Sequence, residues 1–119
     1  MKILLDTNFL MMPHQFGVDI FEFLKDYEML TLSSCVEELR KLSKKRGDDG
    51  KAAKIALKLV KDRGIEVAKT KEKGDRAILV YALREKCTVG TNDIGLMKSL
   101  KKGGIKIIRL RQKKYLEEC

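Results

Sequence analysis

The sequence predicts an α/β protein, a three-layer α/β/α arrangement around a central, mostly parallel sheet of four to five strands. Three observations predict it. Short apolar runs alternate along the chain with amphipathic stretches of about ten residues or more, the pattern of strands joined by helical crossovers. The runs are apolar throughout rather than interleaved with polar residues, as in strands covered on both faces. The length of 119 residues suits one core, so the expected organisation is a single domain over 1–119 with a basic tail from about residue 111.

Each element follows from local signals. Lys2 to Leu5 is the first strand, closed by Asp6. Gly17-Val18-Asp19 then opens a helix carrying Ile20, Phe21, Phe23 and Leu24. Met29 to Leu32 is the second strand, and Ser33 or Ser34 is placed to cap a helix running to about Lys45. Gly47-Asp48-Asp49-Gly50 is the clearest break. After it, Ala52 to Arg63 reads as a helix stopped by Gly64. Ile65 to Ala68 is the third strand, Gly74-Asp75 opens a helix to about Lys86, and Thr88 to Gly90 is the fourth strand. Asp93 opens the last helix, Gly103-Gly104 ends it, and Ile105 to Leu110 forms the last strand.

Composition excludes several functional classes. The hydrophobic fraction is 44%, with one Pro and nine Gly. Disorder is therefore excluded, and no run approaches the ~18 apolar residues of a membrane span. The N-terminus meets Asp6 after three apolar residues, short of a secretory core of ~7–15, so a cytoplasmic protein is expected. Cys35, Cys87 and Cys119 include no C-x-x-C pair, and read as two small hydrophobes and a C-terminal thiol. His14 is the only histidine, which leaves almost no material for a Ser-His or Cys-His mechanism or a His-rich metal site. Any chemistry falls to carboxylates.

The charge balance points to a polyanionic partner. There are 26 Lys+Arg against 17 Asp+Glu, a formal net charge of +9. From Lys98 to Lys114 the chain carries basic residues and no acid, and a second cluster, Arg40, Lys41, Lys44, Lys45 and Arg46, follows a helical run. Nucleic acid fits such a surface because each neutralised phosphate releases counterions; a membrane surface would also need an apolar anchor.

Four carboxylates fall where open parallel sheets bind ligands, beyond the carboxyl ends of the strands. Asp6 ends the first strand and Asp93 follows the strand ending at Gly90. Asp75 opens a helix whose apolar stripe is Ile78, Leu79 and Ala82, and Asp93 heads one made of Leu96, Met97 and Leu100. On the helix after the second strand, Glu38 lies about 100° from the middle of the stripe Val36, Leu39, Leu42, whereas Glu37 lies about 160° away and faces water. Taken singly, Asp75 and Asp93 read as helix caps, Asp6 as a turn former and Glu38 as a boundary residue. Four acids at one edge would raise each other's pKa unless a cation sat among them. An all-oxygen set favours Mg²⁺ or Mn²⁺, and beside a basic surface it points to phosphodiester chemistry.

These residues resemble the PIN-domain ribonucleases. Leu4-Leu5-Asp6-Thr7-Asn8-Phe9-Leu10 is similar to the family's first motif, Val36-Glu37-Glu38-Leu39 to its second, Gly74-Asp75-Arg76-Ala77-Ile78 to its third, and Gly90-Thr91-Asn92-Asp93 to its fourth. The resemblance covers nearly the whole chain. The stretch from Asp6 to Phe23 resembles in particular the archaeal relatives of small-subunit ribosomal RNA processing factors; toxins of toxin–antitoxin pairs form another large branch. The resemblance implies a PIN-like fold and metal-dependent endonucleolytic cleavage of single-stranded RNA, including pre-rRNA as a substrate. Asp6, Glu38, Asp75 and Asp93 would hold one or two Mg²⁺ or Mn²⁺ ions, supported by Thr7, Asn8 and Thr91. Lys71, Lys73, Arg76, Lys98, Lys101 and Lys102 would contact RNA. It also implies a homodimer and an antitoxin or ribosome-assembly partner, with no membrane association. The main expectation is a role in RNA processing; the alternatives are a toxin ribonuclease of a toxin–antitoxin pair and a catalytically inactive RNA-binding scaffold. Two residues after Asp93, where many relatives carry another acid, this chain has Gly95.

Overall fold

The computed structural model describes all residues, Met1–Cys119. In chain order its elements are β1 (Lys2–Leu5), α1 (Thr7–Phe16), α2 (Ile20–Phe23), β2 (Glu28–Leu32), α3 (Ser33–Leu42), α4 (Asp48–Asp62), β3 (Glu66–Ala68), α5 (Gly74–Glu85), β4 (Thr88–Gly90), α6 (Ile94–Lys102), β5 (Ile107–Arg111) and β6 (Tyr115–Glu118). The sheet runs β3-β2-β1-β4-β5-β6, parallel throughout except for the antiparallel last pair. No helix is long and apolar enough to cross a membrane.

β1 is central and apolar because helices cover both its faces. Ile3 and Leu5 point into one core with Phe9 and Leu10 of α1 and Ala52, Ala53 and Ala56 of α4. Leu4 points into the other with Ile78 and Ala82 of α5 and Leu96 and Leu100 of α6. The alternation of one strand thus defines the three layers. The free Cys35 and Cys87 are buried and Cys119 is exposed, which matches two small hydrophobes and a C-terminal thiol.

Three features depart from the sequence expectation. The sheet has six strands, not four to five, because residues past 111 form β6 rather than a basic tail. Gln112 and Lys113 take positive φ (53° and 56°), as both central residues of a primed hairpin turn must, and Lys114 N–H closes the turn on the Arg111 carbonyl. Glu117 accepts from Arg109 and Arg111 and ties β6 down. Second, α1 follows β1 without a break. Asp6 caps it through Oδ1, although Pro13 lies inside the helix. Third, Ser33 and Ser34 do not cap α3; their hydroxyls accept from the Thr70 N–H and hydroxyl and pin the loop after β3.

β1 pairs with β2 on one side and β4 on the other, so the direction of winding reverses between β1 and β4. Their carboxyl ends open a crevice at this switch point. Gly90 keeps the two strands close there: a Cβ would stand 3.0 Å from Leu5 Cδ2 and 3.2 Å from Phe9 Cε1. Adding a methyl to a strand glycine ordinarily helps on entropic grounds, but here it overpacks a filled site. Gly90→Ala is expected to destabilise the protein by about 1–3 kcal/mol, measured by urea unfolding; equal or greater stability than wild type would contradict this packing.

Candidate active site

Four elements deliver one acid each to this crevice. Asp6 leaves the end of β1, Glu38 lies on α3, Asp75 is the second residue of α5, and Asp93 caps α6 after β4. All four line one cavity of about 100 Å³ together with Thr7, Asn8, Ser34, Cys35, Gly74 and Ile78. The lining includes no lysine or arginine. Residues up to 87 positions apart in sequence, Asp6 and Asp93, therefore share one wall.

Asp6 is the buried member, 8% exposed. Its Oδ1 accepts from Phe9 N–H at 2.7 Å and its Oδ2 from the Thr91 hydroxyl, which links the end of β1 to the turn after β4. Burial pushes its carboxyl up from 3.8 to about 6; the Thr91 and Phe9 hydrogen bonds oppose that rise, and the charges of Asp75 and Asp93 add to it. Partial burial also raises Asp75, reinforced by Asp93 and Glu38. The acids are thus electrostatically coupled.

Three of the four also have a structural task. Asp6 caps α1, Asp93 Oδ1 accepts from Leu96 N–H at 2.8 Å, and Glu38 Oε1 accepts from the Thr7 hydroxyl at 2.8 Å. Asp75 has none. The cap position of α5 is Lys73, no side chain caps that helix, and Asp75 forms no ion pair. The capping explanation therefore fits Asp93 and fails for Asp75.

The supporting residues divide similarly. Thr91 holds Asp6 and, through Oγ1, accepts from Asp93 N–H; Thr7 holds Glu38; Asn8 lines the cavity. Asn92 is an addition that the sequence did not single out. Its amide accepts from Leu110 N–H at 2.7 Å and donates to the Leu110 carbonyl at 3.0 Å, so it extends β5 pairing by one side chain and fixes the turn that presents Asp93. The six cations expected to meet RNA are all exposed and none lines the cavity, although Lys73 and Arg76 flank Gly74 and Asp75 in sequence. Lys101 and Lys102 end α6, about 12 Å along its axis from Asp93, so they do not join the cavity mouth.

No three His, Cys, Asp or Glu side chains are arranged to enclose a metal ion by themselves. The donor chemistry still fits one class of ion. Oxygen donors from few carboxylates suit a hard divalent cation that retains several waters, and do not suit a dedicated protein cage.

The raised Asp6 pKa has a definite sign. Its carboxyl binds a proton more tightly in the folded than in the unfolded chain, so its contribution to stability declines as pH rises from about 4 through about 6. In metal-free protein, Asp6→Asn is expected to add about 1–3 kcal/mol at neutral pH and little at pH 4. Denaturant unfolding with chelator across that interval checks this; a difference independent of pH would contradict it.

Sequence comparison places these observations in a family. The chain is 37% identical to Ribonuclease VapC4 of Methanocaldococcus jannaschii, over 126 aligned positions covering 98% of this chain and 95% of that protein. It is 33% identical to Ribonuclease VapC9 of Archaeoglobus fulgidus, over 113 positions covering 92% and 82%. The match to the family described as PIN like domain runs over residues 3–113, from β1 to the turn before β6. With the fold, the motif order and this span in agreement, the chain belongs to the PIN-like domain family.

Proposed function

We propose that this protein is a divalent-metal-dependent endoribonuclease of single-stranded RNA, acting in the cytoplasm as the toxin of a toxin–antitoxin pair. The observation that carries the catalytic part is the cavity whose only charged lining residues are four acids, and within it Asp75, whose carboxylate has no capping or pairing role. The toxin part is supported by two relatives that carry VapC ribonuclease names. The expected placement beside ribosomal RNA processing factors finds no such support, and an antitoxin is accordingly the preferred partner.

Asp6 and Asp93 would be the main ligands of a Mg²⁺ or Mn²⁺ ion, with Asp75 and Glu38 binding directly or through water. When bound, such an ion supplies charge neutralisation at the attacked phosphate and lowers the pKa of a water molecule. The chain's own residues orient this set. Thr91 fixes the Asp6 carboxylate from β4, Thr7 fixes Glu38, and Asn92 holds the turn bearing Asp93. The cavity is lined by acids and polar groups with one aliphatic side chain, Ile78, so the strand would pass over its mouth with one phosphate above the acids. Lys73 and Arg76, near Asp75 in sequence, would grip neighbouring phosphates, with Lys71 and Lys98 further out and Lys101 and Lys102 at the far end of α6.

Asp75→Asn gives the cleanest test, because it removes one charge without removing a cap. It is expected to reduce cleavage of single-stranded RNA by about 100-fold or more while unfolding stability stays within about 0.5 kcal/mol of wild type. Undiminished cleavage by the purified variant would defeat the assignment. For the biological role, induced expression of wild type in a bacterial host is expected to arrest growth, and Asp75→Asn to restore it. Unimpeded growth beside robust cleavage in vitro would reject the toxin role and retain the nuclease.

A further inference from the structure

A second charged surface lies away from the acids, at the turn between α3 and α4. Lys44, Lys45, Arg46, Lys51 and Lys54, with Gly47, line a cleft of about 450 Å³ that holds no hydrophobic residue and no acid. None of these five cations forms an ion pair. Asp48 and Asp49, in the first turn of α4, stay outside the lining.

The cleft is held in shape by two glycines. Gly47 sits at φ 85°, ψ −162°, a region that only glycine adopts readily. Gly50 is buried, and a Cβ there would collide with the Lys45 carbonyl. The turn carrying Lys44 to Arg46 thus packs directly on the first turn of α4, which fixes where the cations project.

We propose that this cleft is a second anchoring site for the RNA strand, taking phosphodiester groups remote from the bond that is cut. The inference rests on the ribonuclease reading and adds to it. An acid-lined cavity repels phosphate, so affinity must come from cations elsewhere. Those near Asp75 lie on the side of the sheet covered by α5 and α6, whereas α4 covers the opposite face. α3 joins the two regions: Glu38 lies on it, about 6 Å along the axis from Leu42, and Lys44 follows two residues later. A strand crossing the acids from the α5 side would meet this cleft next. The absence of any apolar lining disfavours a protein partner, whose interface would need aliphatic or aromatic anchors, and suits a phosphate backbone.

The test combines Lys44→Gln, Lys45→Gln and Lys51→Gln in one protein and compares it with wild type and with the Lys→Arg triple variant. Oligouridylates of about 5 and about 20 nucleotides serve as probes, the first too short to span both regions. For the long RNA, the slope of log affinity against log salt is expected to become shallower by about 2 in the Gln variant, at ~0.7 per lost phosphate contact, and to be preserved by Arg. Binding and cleavage of the short RNA are expected to stay unchanged. An unaltered slope on the long RNA would overturn the proposal and leave the cleft to an acidic protein surface, while cleavage of the short RNA would show the nuclease intact. Wild type that neither binds nor cleaves either RNA would remove both readings.

Discussion

The structure depends on one buried charge. Asp6 sits where β1 stops and α1 starts, and its two oxygens are committed in different directions, one to the Phe9 N–H that begins α1 and one to the Thr91 hydroxyl after β4. Burial works against ionisation and the two hydrogen bonds work for it; burial wins, and the carboxyl is raised to about 6. Because Thr91 also accepts from Asp93 N–H, the second acid of the cavity is positioned through the first. Displacing β1 relative to β4 would therefore disturb a helix start, a strand junction and the spacing of two carboxylates together. Gly90, which lets the strands approach, belongs to the same constraint.

The parts of the fold legible in the sequence are those written in local pattern. β1, β2 and β4 are apolar runs because both sheet faces are covered, and α5 and α6 carry stripes that match their buried residues. α1 escaped because Phe9, Leu10, Met11 and Met12 form an unbroken apolar block with no helical period, followed by Pro13. The signal that was present, Asp6 followed by two further cap-type residues, Thr7 and Asn8, is ambiguous between a cap and a turn. β6 escaped for a different reason. Its turn uses Gln112 and Lys113 at positive φ instead of Asn-Gly, and Tyr115 to Glu118 is too polar to read as a strand without knowing that Arg109, opposite Glu117, and Arg111 both donate to it.

The site was legible to the extent that position in the chain determines position in a parallel sheet. Once strands alternate with helices, residues at strand ends and helix starts must share an edge, and this brings Asp6, Glu38, Asp75 and Asp93 together across four elements. Orientation was less accessible. Asn92 pairs with Leu110, 18 residues away, and nothing in the Thr91-Asn92-Asp93 stretch announces a partner in β5. Ser33 and Ser34 show the same limitation in reverse: their chemistry suited a cap, but Thr70 competed for them and won.

Charge separation within the molecule accounts for why so basic a chain keeps a pocket without a single cation in its lining. A lysine among the acids would satisfy them, lower Asp75 and Asp6 toward ordinary carboxylate behaviour, and remove the demand for a divalent ion. Excluding cations leaves the repulsion uncompensated, which under the proposed function would favour a small ion of high charge density. The positive residues lie outside the cavity lining, where their fields would steer a polyanion without neutralising the acids at short range. Burial of Asp6 sharpens the division, since the low-dielectric wall behind it strengthens every interaction in the pocket while water screens those on the surface. Under the proposed function, the net charge of +9 and the acidic cavity are two requirements of one arrangement: phosphate would be attracted as a strand and admitted to the acids in company with a metal.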